Sequence, residues 1–192
     1  MIALVLLLQT QQAATPACIW NQSTMPGRGV LSIPTAARRS PQDSVTALVG
    51  TTTVKVCYSR PSVRGRTMIG GTDVPYGQVW RTGANEATMI HITGHIMVAG
   101  MHVDAGTYSL YTVPGEREWE VILNRAYMQW GHESTYTDSI RAQELGRGRV
   151  PVTRLREPVE QFTIRSEPAS GGNVNLILEW ENSRVSIPIR RM

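Results

Sequence analysis

The chain has 192 residues, a formal net charge of +4 and a hydrophobic content of 41%, values that fit one globular domain with room for a sizeable core. Arginine supplies nearly all of the positive charge, because Lys55 is the single lysine. The arginines are spread along the chain rather than gathered in a basic run, so we expect no nucleic-acid partner.

The chain begins with a short apolar run, MIALVLLL, followed by polar and small residues. This order is typical of a secretory signal peptide, which we predict over residues 1–17, with cleavage after Ala14 or Ala17. The run is too short to cross a bilayer, so we expect no transmembrane segment in the mature chain. We therefore expect the protein to be exported to the periplasm or the extracellular space. Cleavage after Ala17 would leave Cys18 at the new terminus, and lipid attachment there is the less favoured alternative.

Cys18 and Cys57 are the only cysteines. They could pair in an oxidising compartment; the alternative is two unpaired thiols, with Cys57 packed inside a strand. Two cysteines do not make a metal site, and we expect no cofactor. Residues 18–42 are rich in Pro, Gly, Ser and Arg, and they are predicted to form an irregular N-terminal arm or linker.

Short β-prone runs fill residues 43–192, which we predict to be a single domain. A short helix is expected at residues 138–145, ended by Gly146. About ten strands separated by turn signals predict an all-β fold, an antiparallel β-sandwich or jelly-roll-like barrel with one long irregular loop. The predicted strands are residues 44–49, 51–58, 87–98 with a bulge or turn at Gly94, 101–103, 106–113, 119–124, 150–155, 160–166, 173–180 and 184–189, with turns at 170–172 and 181–183.

The long loop, residues 58–86, collects polar and aromatic side chains between two strands. A loop of this length in a compact domain is usually functional or disordered. Its content of Trp, Tyr, Ile and Val disfavours disorder. The sequence therefore predicts a site here. The charged residues of the loop are Arg60, Arg64, Arg66, Asp73, Arg81 and Glu86.

Several motifs resemble those of a bacterial family of exported proteins called domain of unknown function 2911. They are YSRPSVRGR at residues 58–66, VPYGQVWRTGANEAT at 74–88, AGTYSLYTVP at 105–114, QWG at 129–131 and EQFTI at 160–164. The resemblance covers roughly residues 40–189, with the motifs in order. It implies an exported, mostly β domain whose recurring polar motif lies in the long loop, and it implies no particular reaction.

The arginines of the loop favour an anion site. Guanidinium groups present a planar fork of donors that suits carboxylate, phosphate or sulfate. Arg60, Arg66 and Arg81, together with Asn85 and a tyrosine hydroxyl, are our candidates for binding such a ligand. The alternative is an internal network in which these arginines pair with the two carboxylates of the loop and fix its shape.

Four aromatic residues, Tyr58, Tyr76, Trp80 and Trp130, are predicted to line a cleft in which flat rings stack on a sugar. The alternative is that the two tryptophans close the ends of the sandwich. Taken with the arginines, these residues favour a non-catalytic cell-envelope domain that binds a small anionic or carbohydrate-like ligand.

A hydrolase is the first alternative function. Glu86 and Asp73 could act as a carboxylate pair of the kind found in glycosidases, although nearby arginines would hold both acids ionised. Ser59 with His132 as its base is a weaker arrangement, since no G-x-S-x-G motif is present. The second alternative is a structural or assembly domain without a ligand.

Three histidines, His91, His95 and His102, fall on adjoining predicted strands and form the one candidate metal site. Gly94 interrupts the alternation that would align them. We therefore favour exposed sheet histidines and expect no metal.

Overall fold

The computed structural model describes residues 16–18, 23–25, 29–31, 35–130 and 133–192. In this part of the chain, β1 (Ser23–Met25) and β2 (Gly29–Leu31) form a small hairpin, and nine further strands form one antiparallel sheet. The predicted all-β fold is confirmed. The nine strands are β3 (Gln42–Val49), β4 (Thr52–Ser59), β5 (Thr88–Ile92), β6 (Ile96–Val98), β7 (Met101–Val103), β8 (Gly106–Val113), β9 (Glu118–Asn124), β10 (Glu144–Ala169) and β11 (Asn173–Arg191).

The sheet bends into two layers at β10. Residues 144–151 of this strand pair with β9, whereas residues 152–169 pair with β11. One layer therefore has the order β3-β4-β5-β8-β9, and the other contains the second half of β10 with β11, β6 and β7. Strands β3 and β7 are the two edges and do not pair within the described residues, so the fold is an open, sandwich-like sheet.

The core between the layers follows from the period-two alternation of the strands. In β4, Val54, Val56 and Tyr58 face the interior, as their alternation predicts. At the centre, the indole of Trp80 stacks on that of Trp180, with ring centroids 5.6 Å apart. Burying a large apolar side chain in this way contributes about 1.5–3 kcal/mol.

A second apolar cluster lies on the outer face of β8 and β9, since successive strand residues point to opposite faces. Tyr111 packs edge-on against Tyr136 at 4.8 Å, and Ile140 of the short helix α1 (Asp138–Arg141) lies in the same cluster. The predicted helix was too long, because its last residues already belong to β10.

The predicted turn at residues 181–183 is wrong, because β11 continues through it. Glu181 has a φ of 48°, and the β10–β11 register shifts on both sides of its partner Val159. The extra residues of this bulge belong to β10, and they bend the paired strands without reversing the chain. The break predicted at Gly94 within residues 87–98 is present, because β5 ends at Ile92 and β6 begins at Ile96.

A disulfide joins Cys18 of the arm to Cys57 of β4, with Cα atoms 5.8 Å apart. Beside it, the Lys55 ammonium donates a hydrogen bond of 3.0 Å to the carbonyl of Pro16. In this oxidised state Cys18 has no thiol to carry a lipid. Residues 1–15, the greater part of the predicted signal peptide, lie outside the described residues. Among those described, no helix has the length and apolar character needed to cross a membrane.

Candidate functional site

The long loop is held by hydrogen bonds to both layers. The carboxylate of Glu181 accepts bonds from the backbone N–H groups of Met68 and Ile69, at 3.1 and 2.6 Å. On the other layer, the backbones of Trp80 and Thr112 exchange two hydrogen bonds of 2.7 and 2.9 Å. Glu181, which lies in β11 opposite the irregular stretch of β10, therefore also fixes the loop.

Three non-glycine residues of the loop adopt positive φ, namely Arg64 (52°), Thr82 (56°) and Asn85 (62°). This conformation is unfavourable for a β-branched residue such as Thr82. Its buried hydroxyl is held at 3.0 Å from that of Thr112. The side-chain nitrogen of Asn85 is buried, and it has no hydrogen-bond partner in the described part of the chain. Backbone strain of this kind persists only where the surroundings enforce it.

A cavity of about 510 Å³ opens beside the loop. The stacked indoles of Trp80 and Trp180 contribute to its lining, although both residues are almost fully buried. Its charged lining residues are Arg39, Arg64, Arg66, Asp73 and Arg81. We call this space the arginine cavity.

The positive charge of the arginine cavity is only partly neutralised. Arg66 pairs with Asp73 at 2.7 Å, and both side chains are about half exposed. Arg64 donates from its guanidinium to the backbone carbonyl of Arg39, at 2.9 Å. Neither Arg39 nor Arg64 forms an ion pair within the residues that the structure describes. The guanidinium groups of Arg39, Arg64 and Arg66 thus line the cavity with one carboxylate, that of Asp73, an imbalance that attracts anions.

Some of the predicted site residues meet at this cavity. Arg66, Trp80, Arg81 and Asp73 line it, and Arg81 donates to the carbonyl of Asn85 at 3.3 Å. Arg39 was missed in the sequence analysis, since it belongs to the arm. Its one sequence signal was a pair of adjacent arginines at the end of that arm, residues 38 and 39.

Tyr58 and Arg60 have structural partners instead. The Tyr58 hydroxyl donates to the carbonyl of Ile164 at 3.1 Å and accepts from its N–H at 2.9 Å. Burial raises the pKa of Tyr58 to about 12. The Arg60 guanidinium donates to the carbonyl of Phe162 at 3.1 Å and lies 3.3 Å from the carboxylate of Asp43. Both side chains therefore connect the two layers.

Glu86 is buried and accepts two hydrogen bonds from Arg38, at 2.5 and 2.7 Å. Asp73 is half exposed and lines the arginine cavity, whereas Glu86 does not. The geometry therefore gives no support to a pair of carboxylates flanking one bond. Ser59 is also buried, and its proposed base His132 lies outside the described residues.

Tyr76 and Trp130 lie away from the arginine cavity. Tyr76 is 43% exposed. Its ring lies over Gly70, and a Cβ atom added to Gly70 would be only 2.5 Å from the Tyr76 ring. Tyr76 lines a second cavity on the other side of the loop. Trp130 is half-buried and contributes to neither cavity.

The three histidines have separate partners. His91 bonds the Thr107 hydroxyl at 2.8 Å, and His95 bonds the Asp104 carboxylate at 2.8 Å. His102 instead lies 3.2 Å from the sulfur of Met192. Burial, reinforced by the charge of Lys55, lowers the pKa of His91. Within the described ranges, no three His, Cys, Asp or Glu residues are grouped so that they could hold a metal ion.

The fold and the cavity define an antiparallel sandwich-like domain with an arginine-rich surface cavity. The chain belongs to the family described as Protein of unknown function (DUF2911), whose model matches residues 40–189. This range contains the long loop and nearly all of the large sheet. Comparison with curated proteins and with solved structures gives no match.

Proposed function

We propose that this protein is an exported, non-catalytic domain of the cell envelope that binds a small anionic ligand in the arginine cavity. The observation that carries the proposal is the pair Arg39 and Arg64, which line a cavity of about 510 Å³ without an ion-pair partner among the described residues. Cavities of this size commonly hold small organic molecules.

The local structure supports a preformed site. Arg64 has a positive φ, and its N–H donates to the Glu160 carboxylate at 2.9 Å, so the backbone at this arginine is anchored. The Arg66–Asp73 pair lines the same cavity. A guanidinium held in place loses less conformational freedom on binding than one on a mobile segment, which favours affinity.

The test is calorimetric titration with glucuronate, citrate and inorganic phosphate at low and at physiological salt. We expect at least one of these anions to bind, with affinity that weakens as salt rises. Replacing Arg64 with Ala should weaken binding at least about tenfold, equivalent to 1.4 kcal/mol. The absence of heat with all three anions would refute the proposal.

The matched control is Arg125→Ala. Arg125 is an exposed arginine that does not line the arginine cavity. Its replacement changes the net charge as Arg64→Ala does, and it should leave affinity within about twofold. Equal losses in both variants would indicate general attraction by the basic chain rather than a site.

Export is supported by the Cys18–Cys57 disulfide together with the predicted signal peptide. Disulfides persist in oxidising compartments and are rare where thiols are kept reduced. Thiol alkylation of fractionated cells, followed by mass spectrometry, tests this part of the proposal. We expect the oxidised chain in the envelope or secreted fraction; a reduced chain confined to the cytosol would contradict it.

A structural or assembly role is the second candidate. It is favoured by the ion pairs Arg38–Glu86 and Arg60–Asp43, which fix the loop and the arm from within. Under this alternative, disrupting the pairs lowers thermal stability and no anion raises it. Thermal melts with and without the three anions therefore distinguish the two functions.

A further inference from the structure

The arginine cavity is lined by residues whose chemistry changes with their burial. Each lining residue that is exposed carries a charge, and each one that is buried is nonpolar. The exposed ones are Arg39, Arg64, Arg66 and Asp73. Apart from Gly83, the buried ones are Pro61, Met68, Val74, Trp80 and Trp180, which we call the cavity floor.

The cavity floor belongs to the core of the protein, whereas the charges lie on the solvent side. Met68 and the two tryptophans are members of the main apolar cluster between the layers. The indole N–H groups are already used, because Trp80 donates to the carbonyl of Gly83 at 3.2 Å and Trp180 to that of Glu160 at 3.3 Å. The two tryptophans therefore offer a ligand only their carbon surface.

A cavity with this order of surfaces is poorly filled by a small hydrated anion. Phosphate or citrate can bond the arginines, but it would leave water against the cavity floor. Water at an apolar surface finds few hydrogen-bond partners, and its replacement by an apolar group gains affinity. The cavity therefore favours a ligand that is charged at one end and apolar at the other.

We propose that the ligand of the arginine cavity is a carboxylic acid with an apolar chain or ring. Its carboxylate pairs with Arg39 and Arg64, and its apolar body contacts the cavity floor. A carboxylate matches the planar fork of a guanidinium group. This inference rests on the proposed function, because it requires an anion in the arginine cavity, and it adds the chemical class of that anion.

The probes are acetate, hexanoate and the neutral analogue hexanamide, in calorimetric titrations. We expect hexanoate to bind at least about tenfold more tightly than acetate, because its additional CH₂ groups leave water. Salt should weaken both acids by the same factor, since they carry the same charge. Hexanamide should bind at least about tenfold more weakly than hexanoate, because it lacks the charge that the arginines recognise.

Two outcomes separate this inference from the proposed function. If citrate or glucuronate binds but hexanoate binds no more tightly than acetate, the inference is overturned and the proposed function stands. If neither these acids nor phosphate binds, both are overturned together.

A pair of neighbouring variants tests the contact with the cavity floor. Met68 and Ile69 are both buried, and both donate a backbone N–H to the Glu181 carboxylate, but Ile69 lines the second cavity instead. Met68→Ala should weaken hexanoate at least about fivefold and leave glucuronate affinity unchanged. Ile69→Ala should change neither affinity, and circular dichroism checks that both variants fold. Equal hexanoate affinity in Met68→Ala and the wild type would overturn the inference.

Fluorescence quenching of the wild type tests the same contact without a variant. A bromine atom in contact with an indole quenches its emission. In 4-bromobenzoate the bromine is far from the carboxylate and should reach Trp80 and Trp180, whereas in 2-bromobenzoate it stays beside the arginines. We expect stronger quenching by 4-bromobenzoate when both are saturating. Equal quenching by the two isomers would overturn the inference.

Discussion

The carboxylate of Glu86 and the guanidinium of Arg38 form two hydrogen bonds of 2.5 and 2.7 Å, and both side chains are almost completely buried. The pair connects the end of the N-terminal arm to the end of the long loop. Arg39, the next residue of the arm, lines the arginine cavity. The buried pair therefore fixes one wall of the proposed site.

Replacing Glu86 with Gln should destabilise the fold by about 3–5 kcal/mol, because it leaves a buried guanidinium without its charged partner. Urea denaturation monitored by tryptophan fluorescence measures the loss. The matched control is Asp73→Asn, which breaks a half-exposed pair with Arg66 and should cost less than about 1 kcal/mol. Losses of similar size would show that the Arg38–Glu86 pair is not buried as described.

Reducing the Cys18–Cys57 disulfide should lower the free energy of unfolding by about 4 kcal/mol, because the bond closes a loop with a sequence separation of 39 residues. Thermal melts with and without a phosphine reductant measure the change. The Cys18→Ser, Cys57→Ser double variant serves as a control that should not respond to the reductant. If the reductant leaves the melting temperature of the wild type unchanged, the claim that the Cys18–Cys57 disulfide stabilises the fold is contradicted.

Asn85→Gly should stabilise the protein by about 0.5–1 kcal/mol. Glycine adopts the positive φ of this position without strain, and the substitution also removes a buried amide nitrogen that lacks a partner among the described residues. Chemical denaturation provides the measurement. Asn85→Ala is the comparison, since it removes the same amide but retains the strain, and it should be less stable than the glycine variant.

Acidification should weaken the fold through His91. Burial lowers the pKa of His91 below its usual 6.5, so the folded state binds a proton less readily than the unfolded chain. The stability that this shift provides is present above pH 6.5 and is lost as pH falls through the folded pKa. His91→Gln should flatten the decline in the free energy of unfolding between about pH 7 and pH 5. If the variant shows the same pH dependence as the wild type, His91 is not the cause of the decline.

Most strands could be predicted from the sequence because apolar and polar residues alternate along a strand whose two faces have different surroundings. Tyr58 shows the limit of that signal: its place at the edge of the loop predicted a ligand contact, whereas in the structure its side chain lies in the core on the same face of β4 as Val54 and Val56. The residues after Trp180 were predicted to turn because their composition is polar. In the structure they continue β11 because the extra residues of the bulge lie in the partner strand β10, which local composition does not reveal.

The candidate site was predictable only in part, because its walls come from distant segments. Residues 58–86 indicated an arginine-rich site, and Arg66 and Arg81 do line the cavity. No sequence pattern could show that Arg39 would join them, or that Arg38 would be the residue that pairs with Glu86. The division of the aromatic residues between two cavities likewise depends on tertiary packing.

The most direct test of the central claim is an NMR titration that follows the ¹⁵N-labelled guanidinium groups, with Arg39 and Arg64 assigned by substitution. On addition of glucuronate, we predict that the side-chain signals of both arginines shift with one common dissociation constant, while that of Arg125 stays in place. Saturable binding that leaves the Arg39 and Arg64 signals unmoved would contradict the assignment of the arginine cavity as the anion site.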